Sequence, residues 1–409
     1  MSGSTNLSGS ASPSNLSAHY RRLLAGQPGG GALESTAFEA ARPSEPDLSS
    51  GAISERVAVT RAELNRIVKE YLGDKPDLYE VADQIARGGE TALHAVADED
   101  HAKLAQDHVL NALEVIVRTD GSRPSFMVKN DEADRATSPV GNWGATLNDS
   151  AQLLRQALRC IGRVDDPSGA QGFQGTAIRI GQNLVMTNRH VLQVIGSEQP
   201  DRSWRLKPNI AVDFVHEYRS RDSVDRRNVN SVLFCGTKPI DRQLIDHAKL
   251  DLVLLDIEPG SENQGEALAL DISPDWGQRE TGVFICGYPG NPGPFAEAPS
   301  LLERLFRSTF GFKRLAPGLV TTEATVMAAS PRKWTLGHDA TTLGGNSGSA
   351  VLVIGRDNVA AGIHYGGRRS DPRENWCHVF GLALDEPDSR SGKSLREMLQ
   401  SRNVQFVDR

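Results

Sequence analysis

The chain has 409 residues, 38% of them hydrophobic and 24% charged, with a net charge of −7. That length accommodates two or three domains. The acidic balance and the lack of a strongly basic stretch argue against a nucleic-acid partner, and no run of about 18 apolar residues is present to cross a membrane.

Residues 1–55 are rich in Ser, Gly, Ala and Pro. Such a segment buries too little apolar surface to offset its ordering entropy, so a disordered leader is expected. Its opening, MSGSTNLSGSASPSN, lacks the apolar stretch of a secretory signal and is not expected to act as one. Residues 56–120 read as a small helical module. Thr60 is placed to cap a helix carrying Leu64, Ile67, Val68 and Tyr71, stopped by Gly73. A second helix is predicted over 77–87, with Val81, Ile85 and Ala86, ended by Gly88-Gly89. A third is predicted over 101–118, with Leu104, Val109, Leu113 and Val117. The module carries no catalytic constellation, and its expected role is to bind a protein partner or to regulate.

Residues 121–150, with scattered Gly, Pro and Asn, read as a linker. A short helix over 151–158 then opens the main domain, 151–388. From Cys160 onward, short apolar runs alternate with turn residues: FQGTAIRI, NLVMTN, IAVDFV, SVLFC, DLVLLDI, GVFICGYPG, LVTTEATVMA, GSAVLVIG, NVAAGIHYG and CHVFGLAL. Many short strands with turns between them predict a barrel or sandwich. The stretch 298–318 reads as a helical insertion, and residues 389–409 as a terminal amphipathic helix. Cys160, Cys235, Cys286 and Cys377 are scattered without a CxxC pair. They read as buried free thiols of a reducing compartment, with no metal site and no cofactor expected.

Three segments stand apart: GTAIRIGQNLVMTNRHVL with His190, LDLVLLDI with Asp251, and TTLGGNSGSAV with Ser347. A serine hydroxyl is a poor nucleophile until a base takes its proton, and the base needs a third group to fix its tautomer. His190 follows a strand-like run and would stand at a strand end. Asp251 opens an apolar strand, where a buried carboxylate wants a donor such as an imidazole N–H. Glycines around Ser347 allow a sharp turn, aiming the N–H groups of Gly345 and Ser347 at one point as an oxyanion hole. Singly these signals are weak, since a lone histidine is usually structural and GxSG also occurs in plain turns. Their joint order, His then Asp then Ser, fits the chymotrypsin arrangement and not the α/β-hydrolase one.

The blocks TNRHV, DLVLL, GGNSGS and GIHYGG resemble the trypsin-like serine proteases, and most of all their glutamyl-endopeptidase (V8-like) branch. The resemblance covers about 155–388 and leaves the N-terminal 150 residues outside. It implies a mainly β fold of two six-stranded antiparallel barrels with a cleft between them. It also implies His190 as general base and then acid, Asp251 as its orienter and Ser347 as nucleophile, acting on protein or peptide substrates. Val191 stands where secreted relatives often carry a cysteine, which again suggests a cytosolic enzyme. Asn346 replaces the Asp that pairs with a new N-terminus in trypsin-like zymogens, so activation by that route is not expected. Thr341 stands where an Asp selects basic residues. Thr342 and His364 match the pocket residues of the glutamyl branch, implying preference for Glu before the cut and self-trimming at Glu34, Glu39, Glu45 or Glu55. The alternative is a catalytically silent, protease-like scaffold. The architecture of module plus protease suggests a bacterial effector.

Overall fold

The computed structural model describes residues 13–25, 45–218, 225–242, 244–260, 265–290, 310–342, 345–356, 359–368 and 374–409. Its N-terminal part is helical: α1 (Pro13–Ala25), α2 (Ser50–Tyr71), α3 (Pro76–Ala97) and α4 (Asp107–Thr119). Helix α1 falls inside the expected disordered leader and corrects it. Leu16, Tyr20, Leu23 and Leu24 recur at helical spacing and are buried with Ile53, Val57, Leu93 and Leu113. The Tyr20 hydroxyl donates to Glu114 Oε1. A 13-residue apolar stripe disappears in the average composition of a 55-residue Ser/Gly-rich segment. Residues 1–12 and 26–44 of that leader lie outside the described residues.

The helix boundaries also move. Helix α2 starts at Ser50, capped by Ser49, and Thr60 lies buried inside it, accepting from the Thr119 hydroxyl. Helix α3 runs through Gly88-Gly89. A Cβ at Gly88 would meet Ala112 Cβ at 3.3 Å, and one at Gly89 would meet Ile116 Cδ1 at 2.5 Å. These glycines let α3 and α4 approach closely and are not stops.

The expected linker 121–150 is packed structure. β1 (Phe126–Lys129) and β2 (Glu132–Asp134) form an antiparallel hairpin. Asn130 and Asp131, both at positive φ, turn it; such residues at both central positions are the signature of a two-residue hairpin loop. Trp143 is fully buried and, with Phe126 and Val128, belongs to the main core. Helix α5 (Ala151–Leu158) lies where the periodicity put it.

The first barrel closes from β3 (Ile161–Asp165), β4 (Phe173–Gly181), β5 (Leu184–Thr187), β6 (Ala211–Asp213), β7 (Arg226–Cys235) and β8 (Val253–Ile257), in the order β8-β5-β4-β3-β6-β7. Helix α6 (Arg189–Ile195) follows β5. The second barrel uses β9 (Gly282–Gly287), β10 (Arg314–Thr322), β11 (Thr335–His338), β12 (Ala350–Val353), β13 (Gly362–Arg368) and β14 (Glu374–Val379). Its order is β9-β12-β13-β14-β11-β10, closed by the β9–β10 pairing, and β1 adds to β10 at Phe126↔Leu315. The mainly β fold of two six-stranded barrels is therefore present, with the hairpin joining the module to the second.

Two further expectations change. From Arg314 onward the stretch read as a helical insertion is strand β10, while 298–309 lies outside the described residues. The terminal helix covers only α7 (Leu395–Ser401), which carries a capping box from Ser394 and Glu397. Phe406 and Val407 instead pair in parallel with Leu270 and Asp271. All four cysteines are free and buried.

Candidate active site

Strand β5 is buried at every position, and the chain leaves it directly into α6, which carries His190 in its first turn. Asp251 lies two residues before β8, and β8 pairs with β5 at Val253↔Thr187. That pairing sets the two groups side by side. His190 Nδ1 lies 2.5 Å from Asp251 Oδ2, and the His190 backbone N–H donates to Asp251 Oδ1 at 2.9 Å. Asp251 is 2% exposed. Burial alone would raise its carboxyl; the charge of His190 and the hydrogen bonds from its ring and backbone outweigh that and hold the carboxyl below its ordinary value. Both carboxylate oxygens thus face one residue, which fixes the ring through Nδ1 and the backbone N–H.

Asp251 is held from behind. Its N–H donates to His378 Nε2 at 3.0 Å, and Asn188 Nδ2 donates to its carbonyl at 2.7 Å. Burial drives His378 down to about 3. It is therefore neutral, and accepting at Nε2 assigns its proton to Nδ1. The ring stacks on Tyr365 with centroids 4.2 Å apart.

Ser347 lies at the mouth of β12, in a loop stitched to the first barrel through Thr176 of β4. The Thr176 N–H donates to the Ser347 carbonyl at 2.8 Å, and its hydroxyl donates to the Gly345 carbonyl at 3.3 Å while accepting from the Tyr288 N–H at 2.9 Å. The Gly348 N–H donates to the His364 carbonyl. Gly345 and Gly348 have φ of +95° and +91°, and a Cβ on Gly348 would fall 1.9 Å from the Thr176 carbonyl. Asn346 is buried, its backbone carbonyl accepting from the Ser349 N–H.

His190, Asp251 and Ser347 line one open cavity of about 800 Å³. Thr341, Thr342, Gly345 and His364 line it too, so the structure brings every expected site residue to one place. Three of them carry side-chain bonds of their own. The Thr342 hydroxyl already donates to Asn375 Oδ1 at 2.7 Å, and the Thr341 hydroxyl donates to the Arg123 carbonyl at 2.6 Å. His364 is buried, with Nδ1 3.2 Å from His338 Nε2. Burial, then the neighbouring His338 and His190, hold it well below the ordinary histidine value, which favours the neutral imidazole.

The same cavity has a wall that the sequence did not foretell. Val81 and Ile85 of α3, Asn111 and Val115 of α4, and His19 and Leu23 of α1 all face it. Leu244 and Ile245, 67% and 42% exposed, border it from the loop before Asp251. Thr176, His378 and Arg123 were also missed. Thr176 lies in the segment that carries His190 but was given no role there, His378 and Arg123 sit in no motif, and each acts through a partner remote along the chain.

Two closed six-stranded barrels, with these groups lining one cavity, make a mainly β, chymotrypsin-like fold. Residues 175–362 match the family model described as "Trypsin-like peptidase domain". A probable serine protease from Lysobacter enzymogenes is 29% identical over 271 residues, covering 63% of this chain and 70% of that protein. Among solved structures, a Glu endopeptidase in complex with MPD is 18% identical at a TM-score of 0.38, covering 61% of this chain and 92% of that one. Neuropsin, a serine protease of mouse brain, is 13% identical at a TM-score of 0.37, with coverages of 55% and 91%.

Proposed function

We propose that this protein is a serine endopeptidase in which Ser347 is the nucleophile, His190 the general base and then acid, and Asp251 the orienter. The observation that carries the reading is the two-point hold of Asp251 on His190 in a cavity that also contains Ser347. His190 Nε2 takes the Ser347 proton as Oγ attacks the peptide carbonyl. Asp251, kept ionised, stabilises the imidazolium that forms. The N–H groups of Gly345 and Ser347 receive the developing oxyanion, each worth roughly 10²–10³ in rate. His190 returns the proton to the leaving amine, and water then hydrolyses the acyl-enzyme by the same steps in reverse. A fluorophosphonate probe should label the wild type and not Ser347→Ala. Absence of label on the folded wild type would end the reading.

We further propose a preference for Glu before the cut, supported by His364 at the cavity wall. A consistent tautomer set has His338 Nε2–H donating to His364 Nδ1, leaving His364 Nε2–H as a donor toward the cavity. A carboxylate there favours proton uptake by His364. The kcat/KM ratio for Glu over Gln substrates should therefore rise as pH falls from 8 toward about 5, above the substrate carboxyl's own pKa of ~4.3. Preference for Phe or Lys in a peptide library, or a pH-independent ratio, would remove the proposal. Of the self-trimming sites, Glu34 and Glu39 lie outside the described residues, Glu45 precedes α2, and Glu55 is inside α2, which would have to unwind before cleavage. The free buried thiols support a reducing compartment such as the cytoplasm.

A further inference from the structure

The segment 339–342 runs from β11 toward the nucleophile loop, and Asp339, Thr341 and Thr342 line the cavity with Ser347. Part of its anchoring comes from outside the peptidase domain. Arg123, which follows α4, is 1% exposed. Its Nε and Nη2 donate to Asp339 Oδ1 and Oδ2 at 2.8 and 2.9 Å, a two-pronged pair with a carboxylate that is 2% exposed. Asp339 Oδ1 also accepts from the Leu319 N–H of β10. The backbone carbonyl of Arg123 receives the Thr341 hydroxyl. Arg123 is itself held by the module: Nη1 donates to the Leu23 carbonyl of α1 at 3.2 Å, its N–H donates to the Val117 carbonyl of α4, and its guanidinium lies over Trp143.

We infer that Arg123 is a positioning residue through which the N-terminal module sets the wall of the substrate pocket. Two fixed donors on one carboxylate leave little angular freedom, and the Thr341 bond fixes the next stretch of the same wall. The module is then a built part of the cleft, so the peptidase domain depends on residues outside it. The anchoring lies wholly within one chain and requires no new N-terminus, in keeping with Asn346 in place of an acidic partner. The inference rests on the reading of the cleft as a peptidase site, and deepens it.

The test uses the full chain and three changes: Thr341→Val, Arg123→Lys, and Arg123→Leu combined with Asp339→Leu. The double change leaves no lone buried charge, so it keeps the fold testable where a single truncation would strand Asp339. In the double variant, KM for a peptide substrate should rise about tenfold while kcat falls no more than about threefold. Thr341→Val should raise KM by about threefold, and Arg123→Lys, which keeps the charge without the fork, should fall between wild type and the double variant. Amide exchange over 339–342 should quicken about tenfold or more in the double variant, with β12 and β14 unaltered. Folded variants with wild-type KM, or with unaltered exchange over 339–342, would overturn the role. A wild type that neither labels nor cleaves overturns the peptidase reading instead, and the exchange measurement then decides the positioning role by itself.

Discussion

His378 shows how a residue without a motif becomes part of a site. Only the β11–β14 pairing and the closure of the second barrel bring it behind Asp251. Its neutral ring accepts the Asp251 N–H, which in its absence would be buried without a partner. Replacing it with Ala should cost about 1–3 kcal/mol of stability, the desolvation penalty of one orphaned donor, and lower kcat while leaving KM near wild type. An unaltered kcat in a folded His378→Ala protein would show that the bond does not position the carboxylate. Asp251→Asn should be harsher, with kcat lower by on the order of 10³–10⁴, because an amide favours the wrong imidazole tautomer. Asp251 was legible from its place at the head of an apolar strand; His378 was not, because nothing local distinguishes it from any buried strand histidine.

At the level of elements, the loop that carries Ser347 depends on backbone conformations that only glycine adopts readily. Gly348 stands at φ +91° against the Thr176 carbonyl, so Gly348→Ala must push the loop off β4 and should abolish probe labelling even where the barrels still melt cooperatively. Normal labelling of that variant would disprove the close approach. Thr176→Val strands the Tyr288 N–H and should slow labelling of Ser347 by about 10- to 100-fold, the rate equivalent of roughly 1–3 kcal/mol. The glycines of GGNSGS signalled this turn in advance. The same residue type misled in α3, where Gly88 and Gly89 open space for α4 in the middle of a helix. A glycine at a turn and a glycine at a helix contact look alike until the neighbouring helix is in place. The hairpin β1–β2 was hidden likewise, its Asn-Asp turn read as one more loop signal.

Across the whole molecule, burial of neutral histidines couples stability to pH. Burial holds His19 down to about 4, and His338 and His378 down to about 3. Unfolded, each would titrate near 6.5, so unfolding takes up protons below that value. Their contribution is fully present above pH ~6.5 and is lost as pH falls toward the folded values, at up to ~1.4 kcal/mol per pH unit for each group. The urea midpoint should therefore drop markedly between pH 7.5 and 5, and His338→Asn should flatten that slope; an unchanged midpoint would refute the coupling. Because His19 belongs to α1, acid should loosen the module as well as the barrels. The amino-acid sequence by itself determined that the main domain is built of short strands, since strand periodicity is a local property, and singled out His190, Asp251 and Ser347 as candidates, since the chemistry demands particular residue types in a particular order; the two barrels were implied by the resemblance of their motifs. Only the tertiary structure decided that α1 is ordered, that the linker is a packed hairpin, and that the module walls the cleft through Arg123. Those facts rest on burial and hydrogen bonds between residues far apart along the chain, and no local pattern encodes such pairings.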